Sequence, residues 1–329
     1  MTDAPISYGS AGLGCMGMSG IYGPADETES IATIHAAVSS GITLLDTGDF
    51  YGMGHNEMLI ARAIQSAPTP DRDTYRLSVK FGAQRGPDGS WLGYDASPPA
   101  VKTAAAYSLQ RLRTDRIDVY RPARLDSKVP IEETIGAISE LVEAGYVRAI
   151  GLSEVGADTI RRAAAVHPIA DLQIEYSLIS RGIEDEILPT CRELGIAVTA
   201  YGVLSRGLLS DSFQPGKPAQ PGDIRGRFPR FSAENAEHNA RLVNALREIA
   251  RRKGATVAQL AIAWVGSRGD DVVPLIGARR RDQLAEGLNG LELSLSDEDL
   301  EAIERAAPAG EVHGERYGAP QMADLDSER

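Results

Sequence analysis

The feature that most constrains this chain is an alternation. Short apolar runs are followed by amphipathic stretches, about eight times over. Residues 42–46, 75–80, 117–120, 147–151, 172–175, 196–201 and 272–276 are each short and β-branched or otherwise apolar. Such runs read as strands covered on both faces. An eighth strand falls near residues 12–16, where four glycines crowd the segment. Between the runs, apolar residues recur at helical spacing. Examples are Ile31, Ile34 and Val38, and the stripe of Ile131, Ile135, Ile138 and Leu141 that stops at Gly145. The Ser97-Pro-Pro start and stretches 158–166, 184–194, 257–265 and 281–288 continue the series. Two additional helices are expected at 233–252 and 296–306.

Repeated strand–helix units predict a parallel sheet, either a closed (β/α)8 barrel or an open doubly wound sheet. A barrel needs roughly 250 residues. The surplus in 329 residues is accounted for by an N-terminal segment, the 205–235 loop, the extra helices and a tail. Polar residues follow strand after strand, and only a barrel gathers all those ends onto one face. The expectation is therefore an α/β TIM barrel as a single domain over residues 1–329. Residues 309–329 are then a C-terminal tail that either crosses the barrel mouth or moves freely.

Composition narrows the class of function. The 34 basic against 46 acidic residues give a net charge of −12, which argues against a general nucleic-acid binder. No apolar run reaches membrane-spanning length. The first ten residues carry no secretory leader pattern. Two cysteines, Cys15 and Cys191, provide no disulfide framework, which fits a cytoplasmic protein. The oligomeric state is not readable.

Gly12-Leu-Gly14-Cys-Met-Gly17 matches the dinucleotide pattern G-x-G-x-x-G, which carries meaning only between a strand and a helix. The following Ser-Gly20-Ile-Tyr-Gly23-Pro24 cannot continue a helix. A glycine-rich loop is expected, with Gly17 and Met18 placed to touch a ligand.

Asp46 ends one strand, Tyr51 lies five residues on, and Lys80 ends the next strand. In a barrel the three converge. A phenol with pKa near 10 is a poor proton donor at neutral pH. A neighbouring ammonium lowers that pKa, and a carboxylate holds the ammonium charged. The trio would form a general acid for an oxygen gaining negative charge. Singly, each residue also fits a turn, a cap or a solvated surface. After the last strand, Ala278 is followed by Arg279, Arg280 and Arg281 at the start of a helix. That arrangement suits a phosphate monoester, or else is a basic turn paired with nearby acids.

These residues resemble the aldo-keto reductases. The likeness is carried by Asp46-Thr-Gly-Asp-Phe-Tyr51-Gly, Ser78-Val-Lys80-Phe-Gly82, Gly151-Leu-Ser153-Glu, Gln173-Ile-Glu175-Tyr176-Ser, Tyr201-Gly-Val-Leu-Ser205-Arg-Gly207-Leu-Leu, Ile276-Gly277-Ala-Arg279-Arg280 and the tail Gly314-Glu-Arg316-Tyr317. It spans residues 8–322. The resemblance implies a (β/α)8 barrel that binds NADP(H) and reduces small carbonyl compounds. It implies Tyr51 as the acid, tuned by Lys80 and Asp46. Ser153 and Gln173 would hold the nicotinamide carboxamide, and Tyr201 would stack on the ring. Gly202, Val203, Leu204, Ser205, Gly207 and Leu208 would run along the pyrophosphate. Gly277, Arg279, Gln283 and Glu286 would surround the adenosine 2′-phosphate.

The chain departs from the family at two places. In Tyr120-Arg-Pro-Ala123-Arg124-Leu-Asp126, Ala123 stands where the family usually has histidine. Gly287 stands where asparagine is frequent. None of His35, His55, His167, His238 and His313 replaces the imidazole by sequence. His35 and His167 read as structural, and His55 either approaches the site or starts a helix. Strand parity puts Arg121 on the Ala123 face, one layer deeper. It is either one half of an interior ion pair, for instance with Glu175, or a contact to the substrate oxygen in place of the imidazole.

Ile21, Tyr22, Phe50, Met53, Trp91 and Tyr94 flank the two rims and imply an apolar, partly aromatic pocket. They serve equally as loop anchors under the tail. Small aromatic or pyridoxal-like aldehydes are candidates by family analogy alone. The competing function is an NADP(H)-binding regulatory subunit of the same fold with little turnover. A metal-dependent hydrolase lacks ligands at the strand ends.

Overall fold

The computed structural model describes residues 6–67, 71–215 and 222–329. Readings that touch residues 1–5, and the part of the 205–235 loop formed by 216–221, lie outside the described residues. The strands are β1 (Gly12–Gly14), β2 (Leu44–Gly48), β3 (Arg76–Phe81), β4 (Ala83–Arg85), β5 (Trp91–Tyr94), β6 (Ile117–Pro122), β7 (Val147–Ser153), β8 (Ile169–Glu175), β9 (Ala197–Tyr201) and β10 (Val272–Gly277). Eight of them close in the order β1-β10-β9-β8-β7-β6-β3-β2. The barrel pairs are parallel. β4 and β5 form a separate antiparallel hairpin. Gly82, Gly86, Gly89 and Gly93 interrupt the alternation that would otherwise mark this hairpin in the sequence.

The helices are α1 (Glu27–Ser39), α2 (His55–Gln65), α3 (Pro98–Leu112), α4 (Ile131–Glu143), α5 (Ala157–Val166), α6 (Ile187–Glu193), α7 (Ala233–Arg252), α8 (Val257–Gly266), α9 (Arg281–Leu291), α10 (Asp297–Ala306) and α11 (Ala319–Ala323). Their starts follow from local chemistry. Asp26 caps α1 by accepting from the Glu29 amide. Thr256 with Gln259, and Ser296 with Asp299, form reciprocal caps on α8 and α10. No helix among the described residues is long and apolar enough to cross a membrane.

The barrel interior is layered, as alternation along parallel strands requires. At the bottom Tyr8, Leu44, Val119, Val273 and Leu275 pack together. Here β1 must approach closely: a Cβ on Gly12 would meet Leu275 Cδ2 at 2.5 Å and Leu44 Cδ2 at 2.7 Å. The next layer is polar. Asp46 pairs in register with Ser78, and Lys80 with Arg121. Asp171, Gln173 and Thr199 complete this layer.

Arg121 sits in this polar layer, fully buried, as one half of the interior ion pair expected of it. With no exposure, it presents no surface to a ligand at the mouth, against its placement in the substrate pocket. Its partner is Asp171 at 2.9 Å rather than Glu175, with Thr199 Oγ1 at 3.3 Å. The reason is depth: Asp171 lies two strand layers below the mouth, where Arg121 also points, whereas Glu175 ends β8. Gly151 leaves room for the pair, since a Cβ there would meet Asp171 Oδ1 at 2.5 Å.

Candidate active site

Asp46, Tyr51 and Lys80 converge at the C-terminal end of the barrel. Lys80 Nζ donates to Asp46 Oδ2 at 2.6 Å, with both groups buried. Ser78 Oγ and Gln173 Nε2 donate to Asp46 Oδ1 at 2.9 and 2.7 Å. The Asp46 carboxylate is therefore fixed on both oxygens. Lys80 Nζ lies 5.0 Å from the centre of the Tyr51 ring. Tyr51 enters through the turn after β2, and Phe50 meets it edge-on at 4.8 Å.

Burial pushes the Tyr51 phenol well above its ordinary range, and the Asp46 charge adds to this. Burial pulls Lys80 down, while Asp46 opposes that and Arg121 reinforces it. The expected lowering of the phenol by Lys80 is thus not the ruling effect. Lys80 Nζ gives its hydrogen bond to Asp46 at 2.6 Å, and the Asp46 charge opposes the ammonium's effect on Tyr51.

Ala123 is buried beside these groups, with its amide donating to Phe81 O at 2.8 Å. No histidine is brought here. His55 begins α2 and bonds Ser19 Oγ at 2.9 Å and Glu27 at 2.7 Å. Ile21, Tyr22 and Phe50 are partly buried on one rim, while Met53 is 59% exposed. Trp91 and Tyr94 of the hairpin contact each other edge-on at 4.8 Å, and Trp91 is exposed.

Gly12–Gly14 is followed by a single 3-10 turn, Met16–Ser19, and not by a helix. Met18 is buried as a whole residue, and Gly17 before it is partly exposed. Ser153 Oγ is buried without a hydrogen-bond partner. Gln173, by contrast, is already engaged by Asp46. In the turn after β9, Val203 and Leu208 bury their side chains, and Ser205 and Arg206 take positive φ of 44° and 57°. Gly202 also has positive φ, and a Cβ there would lie 3.1 Å from Glu175 Cγ. Leu204 is half-buried, and Gly207 closes the turn.

The three arginines after β10 divide. Arg280 pairs with Asp282 and Arg281 with Glu29. Arg279 instead donates to the carbonyls of Tyr22, Gly23 and Pro24 at 3.2–3.4 Å. Burial and then the neighbouring Arg280 and Arg225 lower its proton affinity, as expected of a cation awaiting an anion. Gly277 opens on free space, and Gln283 Oε1 accepts from the Arg279 amide at 3.2 Å. Glu286 accepts from Thr256 Oγ1 at 2.8 Å. Gly287 is packed on Ile276, whose Cγ2 would lie 2.7 Å from an added Cβ, so a larger residue there would displace Ile276.

The sequence reading missed a charged layer at the rim. The Tyr201 hydroxyl donates to Glu154 Oε1 at 2.6 Å and meets the Tyr317 hydroxyl at 2.8 Å. Arg316 grips both Glu154 oxygens at 2.8 and 2.6 Å. Burial alone would raise the Glu154 carboxyl, but Arg316 holds it well below the carboxylate range. Asp326 accepts from the Gly156 amide at 2.9 Å. The tail is therefore fastened to the ends of β7 and β9 through these contacts. Glu154 has φ +54°, rare for a residue with a side chain, and only the resemblance of the Gly314–Tyr317 segment hinted at this contact.

A closed parallel barrel with a buried lysine–carboxylate pair beside a tyrosine at its strand ends, and after its last strand an arginine that forms no ion pair among the described residues, is the architecture of a barrel enzyme. The aldo/keto reductase family model matches residues 10–308, and this chain belongs to that family. It is 42% identical over 309 residues to a probable aldo-keto reductase 1 of Glycine max, covering 93% of this chain and 87% of that one. Among solved structures it is similar to a glycerol dehydrogenase from Gluconobacter oxydans, with a TM-score of 0.82, 29% identity and 92% of each chain covered. An aldo/keto reductase from Klebsiella pneumoniae, solved in complex with NADP and acetate, matches with a TM-score of 0.71 and 27% identity over 94% of each chain.

Proposed function

We propose that this chain reduces aldehydes and ketones to alcohols with NADPH, with Tyr51 as the proton donor. The observation that carries this is the buried contact of Lys80 with Asp46 at 2.6 Å, set 5.0 Å from the Tyr51 ring. When bound, NADPH supplies the hydride that forms the new C–H bond at the carbonyl carbon, and is itself oxidised to NADP+. Tyr51 gives its phenolic proton to the carbonyl oxygen as the C=O π bond breaks. Lys80 stabilises the phenolate left behind, and Asp46 keeps the ammonium in place.

The chain's own groups fit the cofactor. Ser153 Oγ has no protein partner, which suits a carboxamide. Gln173 can share that task only through the atoms that Asp46 leaves free. Tyr201, held through its hydroxyl by Glu154, would present its ring to the nicotinamide. The backbone of Gly17 and Met18, and the turn 202–208, would flank the remainder. Arg279, next to open Gly277 and with Gln283 and Glu286 on the same helix, would take the 2′-phosphate.

Single-turnover oxidation of bound NADPH by an aldehyde panel tests the proposal. Oxidation matched by alcohol formation is expected. The alternative, an NADP(H)-binding subunit without turnover, draws on Ala123, because the imidazole that would orient a carbonyl is missing. Tight NADPH binding with no oxidation by any aldehyde would favour it.

A further inference from the structure

Four arginines stand around the mouth, and three have carboxylate partners. Arg206 and Arg230 lie 3.0 and 3.3 Å from Glu175, and Arg316 joins Glu154 to Glu328. Arg124 is the exception: among the described residues it forms no ion pair. Its acceptors are the Ala123 carbonyl at 2.6 Å and the Tyr317 hydroxyl at 3.3 Å. A guanidinium has five N–H donors, so most remain free. Nε, the one guanidinium nitrogen without a partner, is not sealed inside the protein.

The surroundings place this guanidinium at the reactive end of the barrel. Arg124 follows Ala123 directly, at the end of β6. Its guanidinium lies 5.8 Å from the Tyr317 ring centre, and Tyr317 touches Tyr201. Its charge acts on Tyr51, Lys80, Tyr94 and Tyr201 together. The carboxylate that Arg124 does feel, Glu154, is already gripped on both oxygens by Arg316, so Arg124 has no carboxylate of its own, which is costly for a partly buried cation. A ligand bearing an anion would supply the counter-charge, and the planar fork of donors matches a carboxylate or a phosphate.

We propose that Arg124 is a specificity residue that binds an anionic group, carboxylate or phosphate, carried by the carbonyl substrate itself. This rests on the reading that Tyr51 protonates the substrate carbonyl in the same pocket. The carbonyl lies against Tyr51 and Ala123, and the anion lies towards Arg124 between Tyr94 and Tyr317. The small Ala123 side chain leaves the two ends of the substrate unobstructed.

The test uses matched substrates with the NADPH-loaded enzyme. One pair is 4-carboxybenzaldehyde and methyl 4-formylbenzoate; the other is D-glyceraldehyde 3-phosphate and D-glyceraldehyde. The readout is the ratio of kcat/KM within each pair, which cancels general effects on folding or chemistry. Arg124→Gln should lower the anionic-to-neutral ratio by ~10–100-fold, the range of a charged hydrogen bond, mainly through KM. Arg124→Lys should keep part of it. A response confined to one pair identifies carboxylate or phosphate as the group bound. Ratios unchanged in Arg124→Gln overturn the proposal. Unchanged ratios with weakened NADPH binding, read by fluorescence quenching, assign Arg124 to the cofactor instead. If the wild-type protein reduces none of the four aldehydes, the proposed activity fails separately. The Arg124 assignment is then decided by calorimetry, comparing 4-(hydroxymethyl)benzoate with its methyl ester on wild type and Arg124→Gln. Equal binding of the two by wild type overturns it.

Discussion

Arg121 and Asp171 meet at 2.9 Å inside the barrel, and neither side chain has any solvent exposure. The pair lies beside the Lys80 and Asp46 contact, because Lys80 and Arg121 are register partners on β3 and β6. Two ion pairs therefore share the barrel interior, a polar filling where many such barrels use aliphatic layers.

Removing one half of the interior pair should be severe. Arg121→Leu leaves Asp171 buried and unpaired, which typically costs ~3–5 kcal/mol. The double variant Arg121→Leu with Asp171→Leu should recover most of that loss. Thermal unfolding of the three proteins checks this. A stable Arg121→Leu single variant would show that the pair contributes little.

Tyr51→Phe should abolish carbonyl reduction by at least ~10²–10⁴-fold, the usual share of general acid catalysis, with NADPH affinity nearly unchanged. Lys80→Met should be comparably damaging. Near-normal turnover in Tyr51→Phe would mean that another group donates the proton.

Arg279→Ala should weaken NADPH binding far more than NADH binding, since Arg280 and Arg281 are already occupied by Asp282 and Glu29. Fluorescence titration with both nucleotides measures this. Equal affinity of the wild-type protein for the two would contradict the 2′-phosphate assignment.

Asp49 offers a pH test. Burial, then the Glu57 charge, pushes its carboxyl from 3.8 to about 7, and Oδ1 has no partner. A raised carboxyl is held preferentially protonated in the fold. Its contribution to stability is present below the ordinary carboxylate pKa and is lost as pH rises towards 7. Asp49→Asn should therefore raise the unfolding temperature at pH 8 and change it little at pH 4. The same shift at both values would remove ionisation as the cause.

Restoring the family imidazole tests the site's bias. Aldehydes need less polarisation than ketones, so Ala123→His should raise ketone reduction more than aldehyde reduction. Equal gains, or losses on both, would mean that the space at Ala123 serves another purpose. Turnover on a matched aldehyde and ketone decides it.

The sequence by itself determined the barrel, the strand ends and the residues that cluster there. Inward-facing positions follow from a two-residue period, so Asp46, Lys80, Ala123 and Gln173 could be placed on one surface from spacing, and Tyr51 from the turn that follows β2. It also determined that Arg121 needed a partner, because an interior guanidinium has few alternatives. Which partner it takes was a tertiary decision. Asp171 and Glu175 share a face of β8, four residues apart, and only the stagger between β6 and β8 sets which one lies level with Arg121. The hairpin Ala83–Tyr94 and the rim contacts of Glu154, Tyr201, Arg316 and Tyr317 were likewise settled only in three dimensions. Glu154 and Arg316 are 162 positions apart. No local periodicity relates such residues; their contact exists because the closed barrel brings the end of β7 under the returning tail.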